Sequence, residues 1–397
     1  VLLPIWVFLM YINYPARFEI FGAVKIYELV KIHSLFAYGF ESKPGVLGLS
    51  GFRDLEDVAY STVFVIPVRD EEPLSLEGVL KAIPCQSPVI IISNSSMHPL
   101  NMYKIEVDIA KIVYKTTGRT VLVVHQKDKV VAEKLRDVLP EILDEESLVR
   151  NGKGEGILIG TVLADGLKAR NVAFLDADNY VPSVALEYAL IFYTVLGSSE
   201  SKYRMARISW GHKAWSTAED FYFRRFGRVS AVVNTVFNRV LSYKRRVETD
   251  IIKTSNSGEH AMSMEFAREI EYGSGFSVET QELISILEKC YVDLEKGRCP
   301  ALPENIEIYQ VESLSPHIHA EKGEAHVAGM ILESLSTIYH SRLPDERGKK
   351  YILDTMRDMG FVEEPIQLPK YRYPSISARD FLESVITESN ISMALGL

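Results

Sequence analysis

Two aspartates separated by one alanine stand in the stretch FLDADNY at residues 174–180, where the apolar run that begins at Asn171 meets polar sequence. Residues i and i+2 of an extended chain point to the same side, so Asp176 and Asp178 face one pocket if the strand geometry persists. Two such carboxylates suit a hard divalent cation, which bridges carboxylate and diphosphate. The alternative is that Asp178 or Asn179 caps the next helix, which accounts for only one of the two acids.

Four other stretches carry groups able to do chemistry. NGKGEG at 151–156 fits neither the phosphate-loop pattern nor the dinucleotide fingerprint, since Ile159 stands where the third glycine belongs. It reads as a flexible loop presenting Lys153 before a helix, either to a phosphate or to solvent. FGRVS at 226–230 would place the amides around Gly227 at a helix start, with Arg228 and Ser230 as further donors, an anion cradle or a plain glycine turn. SPHIHAEKGEAH at 315–326 groups His317, His319 and His326 after a strand, which raises His317 and His319 as metal ligands. KTSNSGEHAMS at 253–263 reads as a polar turn with Glu259 and His260 opening a helix, offering a carboxylate to sugar hydroxyls or only a capped helix start.

The elements that must hold these groups follow from periodicity. STVFVIPVRDEE, SPVIIISNSS and RTVLVVHQKD, starting at residues 61, 87 and 119, are short β-branched runs that close in polar residues. Helical spacing lies between them, and NVAFL at 171–175 makes a fourth strand. Strands alternating with helices imply a mostly parallel sheet covered on both faces, with ligands at the carboxyl ends of its strands. Asp176 and Asp178 stand at such an end. Residues 21–38 are expected as an amphipathic helix, SKPGVLGLSGF at 42–52 as a linker, and 181–196 and 226–243 as helices. Further expectations are strands at 202–211 and 306–313, a helix at 261–272, and a helical stretch from about residue 325 broken by PIQLPKYRYPS.

Composition narrows the class. With 397 residues, 47% of them hydrophobic and 24% charged, the chain reads as an ordinary soluble globular protein with room for a sizeable core. The net charge of −9 argues against nucleic acid as a partner. Two basic clusters, RRFGRVS at 224–230 and YKRR at 243–246, suit a small acidic ligand better. Cys85, Cys290 and Cys299 have neither the number nor the spacing of a disulfide framework or zinc ribbon, so a reducing, cytoplasmic setting is expected. The apolar start at 1–15 is too short for a spanning helix and reads as a packing or dimerising segment rather than a membrane anchor.

Taken together, VFVIPVRDEEP, GKGEG, FLDADNYVP and TSNSGEHAMS resemble the mannosyl-3-phosphoglycerate synthases, retaining glycosyltransferases of GT-A type, over about residues 15–330. The resemblance implies a GT-A α/β fold with a mostly parallel central sheet flanked by helices, plus a C-terminal helical extension. It divides the chain into an N-terminal helical segment and linker (1–60), a nucleotide-sugar half (61–180), an acceptor half (181–330) and the extension (331–397). It further implies transfer of mannose from GDP-mannose to 3-phosphoglycerate with a divalent cation, Mg²⁺ first, or Mn²⁺, Co²⁺ or Zn²⁺.

Residue by residue, the resemblance puts Pro67, Val68, Arg69, Glu71, Ser93 and Asn94 at the nucleotide, Lys153 at the diphosphate, and Asp176 near ribose or a metal-bound water, with Ala177 between the acids. Asp178 and either His317 or His319 would hold the cation, Gly227, Arg228 and Ser230 the acceptor phosphate, and Glu259 the transferred sugar. The competing readings are a sugar-phosphate nucleotidyltransferase and a non-catalytic metal or nucleotide sensor. PVRDEEP lacks the glycine-rich loop of the first, and a separate anion cradle has no use in the second.

Overall fold

The computed structural model describes residues 11–13, 17–34, 46–47, 52–216, 220–297, 299–300, 305–319 and 323–397. A helix was expected at 21–38, but the described part, 21–34, carries strands instead, and 35–38 lie outside the described residues. β1 (Tyr11–Asn13), β2 (Phe18–Phe21), β3 (Val24–Tyr27), β4 (Val30–Ser34) and β5 (Val46–Leu47) precede the first helix, α1 (Phe52–Tyr60). A turn at Gly22 interrupts the helical spacing: its φ is +59°, and a Cβ there would lie 2.0 Å from the Cys290 carbonyl oxygen. Apart from β5 and Phe52, the expected linker at 42–52 lies outside the described residues, as does the apolar start apart from β1.

The next strands are β6 (Thr62–Val68), β7 (Val89–Ser93), β8 (Val121–His125) and β9 (Asn171–Phe174), and all but Pro67 of their residues are buried. Continuous apolar runs of this kind need cover on both faces. Val63 and Val65 enter one core cluster and Phe64, Ile66 and Val68 the other, so the sheet is packed on both sides. The cover includes α2 (Pro73–Ala82), α3 (Met102–Thr117), α4 (Lys129–Leu135), α5 (Lys153–Gly166) and α6 (Pro182–Ser198). Pro73 and Pro182 stand at helix starts, where the missing N–H is not needed. Asn101 caps α3 by accepting from the Lys104 amide at 2.8 Å.

β10 (Arg204–Trp210) is followed by a hairpin of β11 (Lys213–Ser216) and β12 (Phe221–Arg224), then α7 (Arg228–Arg245). The expected helix at 261–272 is instead β13 (His260–Ser263), α8 (Met264–Glu269) and β14 (Glu271–Gly273), because β13 is captured as a ladder between β9 and β10. α9 (Val278–Leu287), β15 (Ile306–Ser313), α10 (Glu324–His340), α11 (Glu346–Asp358), β16 (Lys370–Arg372), α12 (Ala378–Glu388) and β17 (Met393–Leu395) complete the order. The C-terminal stretch is therefore not purely helical: β17 adds an antiparallel edge to β8, and β16 pairs with β14.

Along the main sheet the strands lie β17-β8-β7-β6-β9-β13-β10-β15-β4-β1-β5, with β3 also on β15. β8, β7, β6 and β9 run parallel, as do β10 and β15, with β13 antiparallel between the two blocks. This is the α/β, helix-flanked class expected from the sequence, with the parallel strands in two blocks rather than one. Cys290 and Cys299 form a disulfide, contrary to the reading of unpaired cysteines; the fold brings the two sulfurs together where count alone gave no reason to pair them. Cys85 is free and exposed.

Candidate active site

The carboxyl ends of β6 and β9 open into a cavity of about 830 Å³, a volume suited to a ligand of nucleotide-sugar size. Pro67, Val68, Arg69 and Glu71 line it at the end of β6, and Asn94 lines it just past β7. Asp70 between them has φ +51°, an uncommon conformation for a residue with a side chain. Its amide donates to Ser95 Oγ at 2.7 Å, and its carboxylate accepts from the amide and hydroxyl of Ser96, both at 2.8 Å. These bonds tie the loops after β6 and β7 into one rim. Ser93 does not line the cavity. It is fully buried, and its hydroxyl accepts from the Ser95 amide at 3.2 Å, because the alternation along β7 turns it into the wall.

NGKGEG is not a flexible loop. Lys153 is the first residue of α5, and Gly154, Glu155 and Gly156 are buried in its first turn. Gln126, just after β8, donates to the carbonyls of Arg150 and Gly152 at 2.6 and 3.1 Å and so fixes the approach to that helix. Lys153 Nζ lies 2.6 Å from Asp176 and 2.9 Å from Glu279 on α9. Burial opposes its charge, but the two carboxylates outweigh burial and hold the ammonium above its ordinary value. Gly258 passes directly over this pair, and a Cβ there would lie 2.5 Å from Asp176 Oδ2 and 3.0 Å from Lys153 Nζ.

β9 ends at Phe174, so both acids lie past the strand rather than on it. They nevertheless line the cavity together with Ala177. Asp178 does not cap α6, whose N-cap is Val181 without a side-chain bond. The backbone of Asn179 bridges that of His319, and the Tyr180 amide donates to the Ile318 carbonyl at 2.8 Å. The histidine loop is thereby laced to the residues after Asp178.

His317 is buried, with Nδ1 3.1 Å from the Tyr188 hydroxyl and 3.2 Å from Asn179 Nδ2. Its ring stacks on Trp210 at 4.4 Å. Burial first, then Lys213, His319 and Lys153, push its pKa well below the ordinary value, so it is a neutral imidazole with Nδ1 engaged from behind. His319 lines the cavity beside it with ring centroids 5.3 Å apart, and His326 also reaches the lining. Among the described residues no group of three or more His, Cys, Asp and Glu side chains is placed to hold a metal ion. A carboxylate and a neutral imidazole lining one cavity of nucleotide-sugar size still fit a cation whose other ligands come from substrate and water.

Glu259 does not open a helix. It precedes β13 and lies buried beneath the lining, accepting from the Trp210 indole N–H at 3.0 Å, and its other oxygen lacks a hydrogen bond. Burial and the neighbouring Asp176 raise its pKa against the opposing pull of Lys153 and Lys213. Ser257 likewise caps no helix; its hydroxyl lies within hydrogen-bonding reach of the carbonyls of Ile208 and Glu259, at 2.8 and 2.7 Å. Opposite, α7 begins at Arg228 with Gly227 as an N-cap lacking a side chain to fill the first turn. Gly227, Arg228 and Ser230 all line the cavity, so the start of a helix, whose first amides lack intrahelical partners, stands at its wall.

The family model described as mannosyl-3-phosphoglycerate synthase matches residues 14–386. A mannosyl-3-phosphoglycerate synthase of Aeropyrum pernix is 43% identical over 384 residues, 96% of this chain and 99% of that protein. The chain belongs to the mannosyl-3-phosphoglycerate synthase family. A second such protein, from Pyrococcus furiosus, is 36% identical over 98% of this chain and all of its own length. Among solved structures, glucosyl-3-phosphoglycerate synthase of Mycobacterium tuberculosis in complex with Mn²⁺, UDP-glucose and phosphoglyceric acid aligns over 84% of this chain and 95% of that one, at 17% identity and a TM-score of 0.49.

In this mannosyl-3-phosphoglycerate synthase family member, the match runs past residue 330, where the sequence resemblance stopped, and takes in α10, α11 and most of α12. Four residues of the site had no signal in the motifs: Gln126, Trp210, Lys213 and Glu279. Gln126 lies in a stretch quoted only for its strand periodicity, the other three lie outside the quoted stretches, and only the fold carries all four to the cavity. Trp210 and Lys213 flank the end of β10, a strand whose carboxyl end could have been searched by the same rule that singled out Asp176 and Asp178.

Proposed function

We propose that the chain transfers mannose from GDP-mannose to 3-phosphoglycerate with retention of anomeric configuration, assisted by a divalent cation. The observation that carries this reading is the gathering of Asp176, Asp178, His317 and the open start of α7 around one cavity, in a chain of this family. A cation bound there would stabilise negative charge developing on the departing diphosphate. Asp178 and His317 are the residues proposed to hold it. The imidazole is neutral, and Tyr188 and Asn179 engage Nδ1, the outer support that orients a ligating histidine.

Arg69 and Glu71, with Pro67, Val68 and Asn94, border the nucleotide in this reading. Lys153 spends two of its three N–H donors on Asp176 and Glu279, so it both fixes Asp176 and keeps one donor for phosphate. Gly227, Arg228 and Ser230 take the acceptor phosphate on helix amides, a guanidinium and a hydroxyl. Glu259, read from the sequence as orienting the sugar, is not in the cavity lining and would act through Trp210, which lines the cavity and donates to it. A cytoplasmic setting and a homodimer complete the proposal. No helix among the described residues is long and apolar enough to cross a membrane. A thermophilic source belongs to the proposal as well, and it makes the Cys290–Cys299 disulfide compatible with a cytoplasmic setting, since intracellular disulfides are common in hyperthermophiles.

The test is incubation with GDP-mannose, 3-phosphoglycerate and Mg²⁺, followed by NMR of the product. A mannosyl-3-phosphoglycerate with the anomeric configuration of the donor is expected. Release of pyrophosphate from a nucleoside triphosphate and a sugar phosphate, without any mannosyl product, would instead favour the nucleotidyltransferase.

A further inference from the structure

Lys213 is a cation placed with unusual care. It opens β11 two residues after Gly211, where a Cβ would lie 2.7 Å from the Ser313 carbonyl oxygen, and its backbone bridges that of His317. The chain on both sides is therefore fixed to the cavity wall. Its Nζ is enclosed, makes no hydrogen bond among the described residues, and stands 4.5 Å from the centroid of Trp210. The indole face gives a cation some compensation, but an enclosed ammonium without an acceptor is costly. Such a group is poised for an anion that arrives.

Its charged neighbours define where that anion sits. Burial and Arg228 oppose its charge while Glu259, Asp178 and Asp176 favour it, and Lys213 lines the same cavity as Asp176, Asp178 and the start of α7 at Gly227, Arg228 and Ser230. An acceptor with its phosphate on Gly227, Arg228 and Ser230 must direct its other end toward the sugar. In 3-phosphoglycerate that other end is a carboxylate, attached to the carbon that bears the attacking hydroxyl. We infer that Lys213 binds the acceptor carboxylate and so selects a phosphorylated hydroxy acid over a phosphorylated polyol; the inference rests on the proposed transfer to 3-phosphoglycerate. Two cations at the two anionic ends of a short acceptor also fix which hydroxyl faces the sugar.

The experiment compares kcat/KM for 3-phosphoglycerate and for glycerol 3-phosphate, which keeps phosphate and hydroxyl but lacks the carboxylate, in wild type, Lys213→Met and Lys213→Arg. Loss of a charge-assisted hydrogen bond predicts a fall of roughly 10- to 100-fold for 3-phosphoglycerate in Lys213→Met. The fall with glycerol 3-phosphate is expected to be several-fold at most, and Lys213→Arg should recover part of the preference. An equal fall for both acceptors, no fall for either, or a rise confined to the KM of GDP-mannose overturns the inference. If Lys213→Met does not fold, as judged by its melting curve, Lys213→Gln is read in the same way. Failure of the wild type to use 3-phosphoglycerate at all would remove the underlying reading instead, and so is told apart from failure of the inference.

Discussion

Gly258 shows how tightly single residues are set in this site. Its backbone covers the Lys153–Asp176 pair so closely that a methyl group would meet Asp176 Oδ2 at 2.5 Å. Gly258→Ala is expected to cost about 1–3 kcal/mol, as overpacking does, and to lower activity further by displacing Asp176. Urea unfolding together with a rate assay checks both; unchanged stability would show that the loop yields. The histidines make a second residue-scale test. His317→Ala is expected to weaken Mn²⁺ binding in the presence of GDP by at least tenfold, whereas His319→Ala should weaken it less, as read by calorimetry. Equal affinities in both variants would remove His317 as the ligand. Asp176, Asp178, Arg228 and His317 were legible as cavity residues because each follows a strand or opens a helix in a stretch whose spacing is unusual: two acids one residue apart, a cation after glycine, and one of only 9 histidines. Ser93 was misplaced because strand alternation, not residue type, decides which way it faces, and Lys213 was overlooked because a lone lysine in KAWS carries no pattern.

At the level of elements, what holds the loop before β13 is a buried ion pair. Arg207 on β10 is fully buried; it donates to Glu282 on α9 at 3.0 Å and to the carbonyls of Thr254 and Glu279 at 3.0 and 2.9 Å. His260 Nε2 lies 3.1 Å from the other Glu282 oxygen. Arg207 thus links the 254–260 loop to the helix that carries Glu279, the partner of Lys153. Removing one member leaves a buried charge unmatched, so Arg207→Met is expected to lose about 3–5 kcal/mol by urea unfolding; a loss below 1 kcal/mol would contradict this.

Asp165 at the end of α5 makes a different link. Its carboxylate takes Arg268 of α8 at 2.9 and 2.6 Å and the Tyr373 hydroxyl at 2.6 Å. Burial opposes its charge, yet Arg268 and Tyr373 outweigh burial and hold the carboxyl below its ordinary value of 3.8. The unfolded chain then binds the proton more readily, so this stabilisation is full above the ordinary value and fades as pH falls through the lowered one. The stability difference between wild type and Asp165→Asn should therefore shrink between about pH 5 and pH 2, and a difference independent of pH would refute it. The parallel strands could be read from continuous β-branched runs. The N-terminal strands and β13 could not, because their short segments have helical spacing and only pairing with distant strands makes them β.

For the whole molecule, the sheet brings groups from Arg69 to His319 around one cavity, and the C-terminal elements tie it shut. Tyr371 on β16 donates to Glu155 in the first turn of α5 at 2.8 Å, and β17 covers the edge at β8. The disulfide closes a loop of sequence separation 9, for which chain entropy suggests up to about 2.5 kcal/mol. The overall α/β class was readable from alternation along the chain, but the closing strands were not, since three-residue strands leave no periodicity. Asp178 is the residue on which the proposed transfer from a nucleotide sugar to an anionic acceptor most depends. The most direct test is GDP release from GDP-mannose and Mg²⁺, with and without 3-phosphoglycerate, in wild type and Asp178→Ala. Release is expected to depend on the acceptor and to fall by roughly 10²–10³-fold in the variant; equal release from both proteins, or release indifferent to 3-phosphoglycerate, would show that Asp178 has no such role.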